Sequence, residues 1–140
     1  MKRQVIYCVF ISIFTLFIAI KNVMYQFRGE KVNLIHFLIL LIYLLCWYQF
    51  LKKSNDKLLK FSITFWGMLL FFTILEIPWV LYDVHFPLFS PFIIAIDGIF
   101  WGITILHSSY LFLLLIKGIV VLVYLCISIK YFKKYAAFSK

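Results

Sequence analysis

The residues best suited to chemistry are a few ionisable side chains set among apolar residues in the second half of the chain. They are Glu76, Asp83, His85, Asp97, His107 and Lys117. A charge placed in hydrocarbon costs about 2.5–3.5 kcal/mol on insertion scales, so such residues usually face the interior of a helix bundle and have a partner. Groups of these types can lock a bundle by ion pairing, bind a ligand or an ion, or relay protons.

The composition points to a membrane as the setting for these groups. The chain of 140 residues is 66% hydrophobic, 21% aromatic and 14% charged, whereas a soluble domain has about 25% charged residues. The net charge of +9 comes from basic residues in short clusters between apolar runs, which is typical of topology determinants. We therefore expect the lipid bilayer as a partner, and no nucleic acid.

The sequence contains no motif that indicates a cofactor. Its three cysteines lie inside apolar runs without a Cys-x-x-Cys pair, so a packing role is expected: Cys8, Cys46 and Cys126. Asp83, His85 and His107 fit no metal-ligand spacing, and no phosphate-binding glycine loop occurs. We expect neither a metal nor a cofactor.

Four apolar runs are long enough to cross a bilayer core, which takes about 20 helical residues. They cover residues 5–25, 34–50, 58–82 and 109–130. Residues 92–106 would rise only about 22 Å as a helix, which is too short for a comfortable crossing. The sequence thus predicts an all-α integral membrane protein of one domain, residues 1–140, with four transmembrane helices and one short re-entrant or interfacial helix. Five transmembrane helices remain the alternative.

The basic residues predict the orientation of those crossings. With four crossings, ten lysines and arginines fall on one side: two at the N-terminus, four in residues 52–60 and four in the C-terminal tail. The other side has Arg28 and Lys31, with Lys21 near. Because basic residues prefer the cytoplasmic side, we expect both termini in the cytoplasm and the protein in a bacterial plasma membrane.

Helix rise predicts which buried charges meet. Glu76 lies about 24 Å from the basic side, counted from Lys60, and Lys117 lies about 20 Å from it, counted from Lys130. An ion pair between Glu76 and Lys117 would offset the desolvation of both groups. Asp97 is the rival partner for Lys117.

The short helix carries two further patterns. Asp97, Trp101, Thr104 and Ser108 recur at spacings that place them on one helical stripe. Such a stripe could line a water-filled cavity. Gly98 and Gly102 form a Gly-x-x-x-Gly pattern that favours close helix packing within the chain.

Three classes of function remain open from sequence. The first is a non-enzymatic accessory, immunity-type or partner-binding membrane protein, which small size and the lack of a catalytic motif favour. The second is a small transporter or channel subunit that uses Glu76, Asp97 and Lys117. The third is a lipid-modifying enzyme with Asp83, His85, Asp97 and His107.

The candidate residues divide by depth. The candidate intramembrane polar site comprises Glu76, Asp97, His107 and Lys117. Asp83 and His85 are candidates at the membrane interface. Another membrane protein or a second copy of the chain is the expected partner besides lipid.

Overall fold

The computed structural model describes residues 2–27, 33–84, 87–106 and 109–138. The described part is helical throughout its main elements and has no strand, which confirms the all-α prediction. The elements are α1 (Lys2–Phe27), α2 (Leu34–Lys53), α3 (Asp56–Tyr82), α4 (Ser90–Phe100), a 3₁₀ helix (Trp101–Ile105) and α5 (Tyr110–Phe138).

Four of these helices are long and apolar enough to cross a membrane. The qualifying stretches are Val5–Met24, Leu34–Lys53, Asp56–Tyr82 and Tyr110–Ala137. They agree with the predicted spans to within a few residues, except that α5 continues through the basic tail. Ser90–Ile105, here called the short arm, is apolar but shorter. Many apolar side chains on the outer faces are more than half exposed, as lipid-facing residues are: Ile13, Phe17, Leu45, Ile74 and Leu115.

Successive long helices run antiparallel. Thr15 of α1 shares a hydrogen bond of 3.0 Å with Tyr43 of α2, and the ring centroids of Trp47 in α2 and Trp66 in α3 lie 5.2 Å apart. Between α3 and α5, the Oγ atoms of Ser62 and Ser128 lie 2.9 Å apart. Four antiparallel helices place the beginning of α1 and the end of α5 on one side of the bundle.

The two ends of the bundle differ in charge. The lysine side is the end with residues 52–60 and 130–134, and the cleft side is the end where α3 stops and α5 begins. Since α3 and α5 run antiparallel, the short arm between them leaves from and returns to the cleft side. The alternative of five crossings therefore does not fit this structure.

The short arm packs across the bundle and is held by two glycines. A Cβ on Gly98 would lie 2.8 Å from the carbonyl oxygen of Ala19 in α1, and one on Gly102 would lie 2.6 Å from that of His36 in α2. Buried Asn22 also donates a hydrogen bond of 2.7 Å to the carbonyl oxygen of Gly98. The structure confirms a packing role for the Gly-x-x-x-Gly pattern.

Apolar and aromatic side chains fill the bundle toward the lysine side. Tyr43, Trp47 and Trp66 are at most 1% exposed. The ring of Trp66 stacks on Tyr124 with centroids 4.7 Å apart, and Tyr124 donates a hydrogen bond of 2.6 Å to the carbonyl oxygen of Leu44. This core links α2, α3 and α5 on the lysine side of Glu76.

Candidate functional site

Lys117 lies between two carboxylates in the interior of the bundle. Its ammonium donates hydrogen bonds to Oε2 of Glu76 and to Oδ1 of Asp97. The three side chains are 0%, 1% and 4% exposed, respectively. The structure therefore confirms the predicted pair of Glu76 and Lys117, and it makes Asp97 a second partner of the same ammonium.

Tyr110 completes the cluster, and sequence reasoning missed it. Its hydroxyl donates to Oδ2 of Asp97, so both oxygens of that carboxylate are engaged. Tyr110 precedes Lys117 by seven residues, or two helical turns, which puts both on one face of α5. That spacing was the sequence signal that could have placed Tyr110 beside Lys117. We call Glu76, Asp97, Tyr110 and Lys117 the acid–lysine cluster.

Three elements bring the cluster together. The antiparallel helices α3 and α5 bring Glu76 and Lys117 to the same depth. The two helices are in contact next to this pair, where a Cβ on Gly118 would lie 3.8 Å from Cγ2 of Thr73. The short arm delivers Asp97, the residue next to the tightly packed Gly98. The position of Asp97 therefore depends on how the short arm packs against α1.

The acid–lysine cluster has more acid than base. With ordinary charges, two carboxylates face one ammonium, which leaves one excess negative charge. Oε1 of Glu76 is buried and has no hydrogen-bond partner in the described ranges. An unsatisfied buried polar atom is costly. The cluster is therefore suited to accept a proton or to attract a cation.

A cleft of about 470 Å³ reaches the cluster. It is lined by Trp79, Val80, Asp83, Ile94, Asp97, Trp101 and Tyr110. Asp97 and Tyr110 thus belong both to the cleft and to the cluster, whereas Glu76 and Lys117 lie behind them. No lysine or arginine is among these lining residues.

The end of α3 places Asp83 at this cleft. Asp83 has a left-handed backbone with φ of 55°, and its N–H donates to the carbonyl oxygen of Trp79 at 3.1 Å. The N–H of Val84 donates to the carbonyl oxygen of Pro78 at 3.3 Å. The bond from Asp83 is that of the αL C-cap motif, and together the two bonds satisfy two of the last carbonyls of the helix.

The predicted polar stripe holds for Asp97 and Trp101, but Thr104 does not continue it. Asp97 and Trp101 both line the cleft, but the helix tightens to 3₁₀ geometry at Trp101, with about 3.0 residues per turn. Thr104 turns its hydroxyl to the carbonyl oxygen of Trp101 at 2.8 Å. Ser108, like the candidate residues His85 and His107, lies outside the described residues.

The described residues offer no ready-made metal centre, since no three of their His, Cys, Asp and Glu side chains are grouped to hold an ion. Comparison with known proteins does not assign a function either, because the chain matches no protein family, curated protein or solved structure. The acid–lysine cluster and its cleft therefore carry the functional argument.

Proposed function

We propose that this chain is a non-enzymatic membrane protein that binds an ammonium group of another membrane component in its cleft. The lining of the cleft carries the proposal. Two carboxylates, Asp83 and Asp97, stand among the rings of Trp79, Trp101 and Tyr110. Aromatic faces attract ammonium groups through their quadrupoles, and carboxylates accept charge-assisted hydrogen bonds from them.

The residues around the cleft also define what could accompany the ammonium. The excess negative charge of the acid–lysine cluster lies behind Asp97 and adds to the attraction for a cation. The indole N–H of Trp101 is buried and has no hydrogen-bond partner in the described ranges. An oxygen near the ammonium, as in an amine-bearing lipid headgroup, would satisfy this donor if the indole turned its N–H toward the cleft.

The packed interior favours binding over transport. Between the acid–lysine cluster and the lysine side, the bundle is occupied by buried Trp66, Leu69 and Val121. A transporter would need a second route through this core. The excess charge of the cluster is the observation that keeps proton or cation transport as the second candidate.

The arrangement supports a lipid-modifying enzyme less well. A general base needs an oxygen or nitrogen within reach of the proton that it removes. Both oxygens of Asp97 already accept hydrogen bonds, from Lys117 and Tyr110. Asp83 alone would have to supply the base among the described candidates.

The proposed orientation places the cleft on the outer face of the membrane. The lysine side carries the clustered basic residues, and such residues prefer the cytoplasm. We place both termini in the cytoplasm of a bacterial cell and the cleft toward the outside.

Tryptophan fluorescence provides the binding test. Trp79 and Trp101 line the cleft, so a long-chain primary alkylammonium, which carries N–H donors, should change the emission of the detergent-solubilised protein. A neutral alkyl maltoside of equal chain length should not. Asp83→Asn should weaken binding about tenfold, as expected for loss of one charged contact.

Asp56→Asn is the matched control, because it removes the same charge from the lysine side, where Asp56 pairs with Lys60 at 3.0 Å. It should leave the affinity unchanged. Equal binding of the two probes, or equal affinities of the Asp83→Asn and wild-type proteins, would reject the proposal. Saturable cation flux into proteoliposomes that is lost in Glu76→Gln would favour transport instead.

A further inference from the structure

A second cavity lies at the other end of the molecule, on the lysine side. It measures about 190 Å³ and is lined by Leu51, Lys52, Ser54, Leu59, Tyr131, Lys134 and Tyr135. The lining comes from the end of α2, the turn into α3, the first part of α3 and the end of α5. We call it the lysine pocket.

The lysine pocket has positive charge that the described part of the chain does not neutralise. Residues 52–60 and 130–134 contain seven lysines and a single acidic residue, Asp56. Asp56 pairs with Lys60 at 3.0 Å. Lys52 and Lys134 therefore bring two ammonium groups to the pocket without a carboxylate partner in the described ranges.

The rest of the lining supplies further donors above an apolar floor. Tyr131 and Tyr135 stand one helical turn apart on α5, and their phenol groups can donate to oxygen. Leu51 and Leu59 are each 1% exposed and close the pocket toward the hydrocarbon region. A ligand there would meet cations and hydroxyls on one side and aliphatic carbon on the other.

We infer that the lysine pocket binds the phosphate of an anionic phospholipid headgroup from the adjoining leaflet. Two ammonium groups match the charge and the acceptor oxygens of a phosphate. Inorganic phosphate shares this chemistry, but the apolar floor and the position at the membrane boundary favour the lipid. The site is independent of the cleft, which lies at the opposite end of the bundle.

Native mass spectrometry of the detergent-solubilised protein tests this inference. The protein is titrated with phosphatidylglycerol and, separately, with phosphatidylcholine of the same acyl chains. We expect a single phosphatidylglycerol to bind preferentially. The K52Q/K134Q double variant should lower that affinity about twenty-fivefold, since each basic residue near an anionic surface contributes a factor of about five.

The matched control is K57Q/K133Q, which removes the same charge from two exposed lysines outside the pocket lining. Neither side chain lines the pocket, so neither would contact the phosphate directly, and salt screens the attraction between exposed charges. The control should therefore change the affinity about threefold at most. An equal loss of affinity in both double variants would show that the lipid is attracted by diffuse surface charge, and it would overturn the inference. Equal binding of phosphatidylcholine, or displacement of the lipid by low millimolar inorganic phosphate, would also overturn it.

Discussion

Removal of Lys117 should be the most damaging single change in the acid–lysine cluster. Lys117→Met keeps the length of the side chain but leaves Glu76 and Asp97 buried together without a cation. Breaking a buried ion pair by removing one partner costs about 3–5 kcal/mol, and here two like charges remain. We therefore expect the free energy of unfolding to fall by at least that amount.

Removal of either carboxylate should be much milder, because of the excess acid. In Glu76→Gln, Lys117 keeps Asp97 and the cluster becomes a neutral pair. In Asp97→Asn it keeps Glu76. We expect each of these changes to cost about 1 kcal/mol, the usual net value of one hydrogen bond. The asymmetry between the lysine and its two acids follows directly from the three-group geometry.

Combined variants should then recover stability in steps. The E76Q/K117M and D97N/K117M doubles each leave one buried carboxylate and should fall between Lys117→Met and wild type. The E76Q/D97N/K117M triple leaves no charge and should come within about 2 kcal/mol of wild type, because replacement of a whole buried ion pair is often nearly neutral. The measurement is unfolding by sodium dodecyl sulfate in mixed micelles.

The control for this series is Lys57→Met, the same substitution at an exposed lysine, which should change stability by no more than about 0.5 kcal/mol. A triple variant no more stable than Lys117→Met would show that the loss comes from packing. A Lys117→Met protein as stable as Glu76→Gln would refute the assignment of Lys117 as the shared cation.

Three further predictions concern the frame around the cluster. Gly98→Ala and Gly102→Ala should each destabilise the protein by about 1–3 kcal/mol through overpacking against backbone atoms, whereas Gly67→Ala, whose Cβ meets nothing within 4 Å, should be neutral or stabilising in the same unfolding assay. Replacing Ser62 and Ser128 together by alanine should cost about 0.6 kcal/mol, the mean for hydrogen bonds between membrane helices; a loss above about 2 kcal/mol would contradict this. Reporter fusions to the two chain ends should both report the cytoplasm, and opposite sides would refute the four-crossing bundle.

The long helices and one ion pair were predictable because simple lengths determine them. The thickness of hydrocarbon sets how many apolar residues cross it, and that count yielded the four spans. The same rise per residue turned the distances from Lys60 to Glu76 and from Lys117 to Lys130 into depths. Similar depth, within about 4 Å, on two antiparallel helices was enough to pair these charges.

The rest of the acid–lysine cluster was not predictable, because it depends on where the short arm packs against the long helices. Contacts of Gly98 and Gly102 with backbone atoms set the path of the arm, and a sequence pattern does not specify the partner backbone. Asp97 could therefore be recognised as a rival for Lys117, but its simultaneous contact could not. The change to 3₁₀ geometry at Trp101 likewise ended a stripe that regular helical spacing would have continued to Thr104.

The separation of Glu76 and Lys117 in sequence has a consequence for biogenesis. Their bond joins residues 41 positions apart, and ribosomes add about 5–20 residues per second. The nascent chain therefore carries Glu76 without its cation for roughly 2–8 s of synthesis. During that interval the third helix has to wait at the insertion machinery or in contact with water. A transcript truncated before the last helix yields a product that cannot end this wait, and proteolytic quality control is its expected fate.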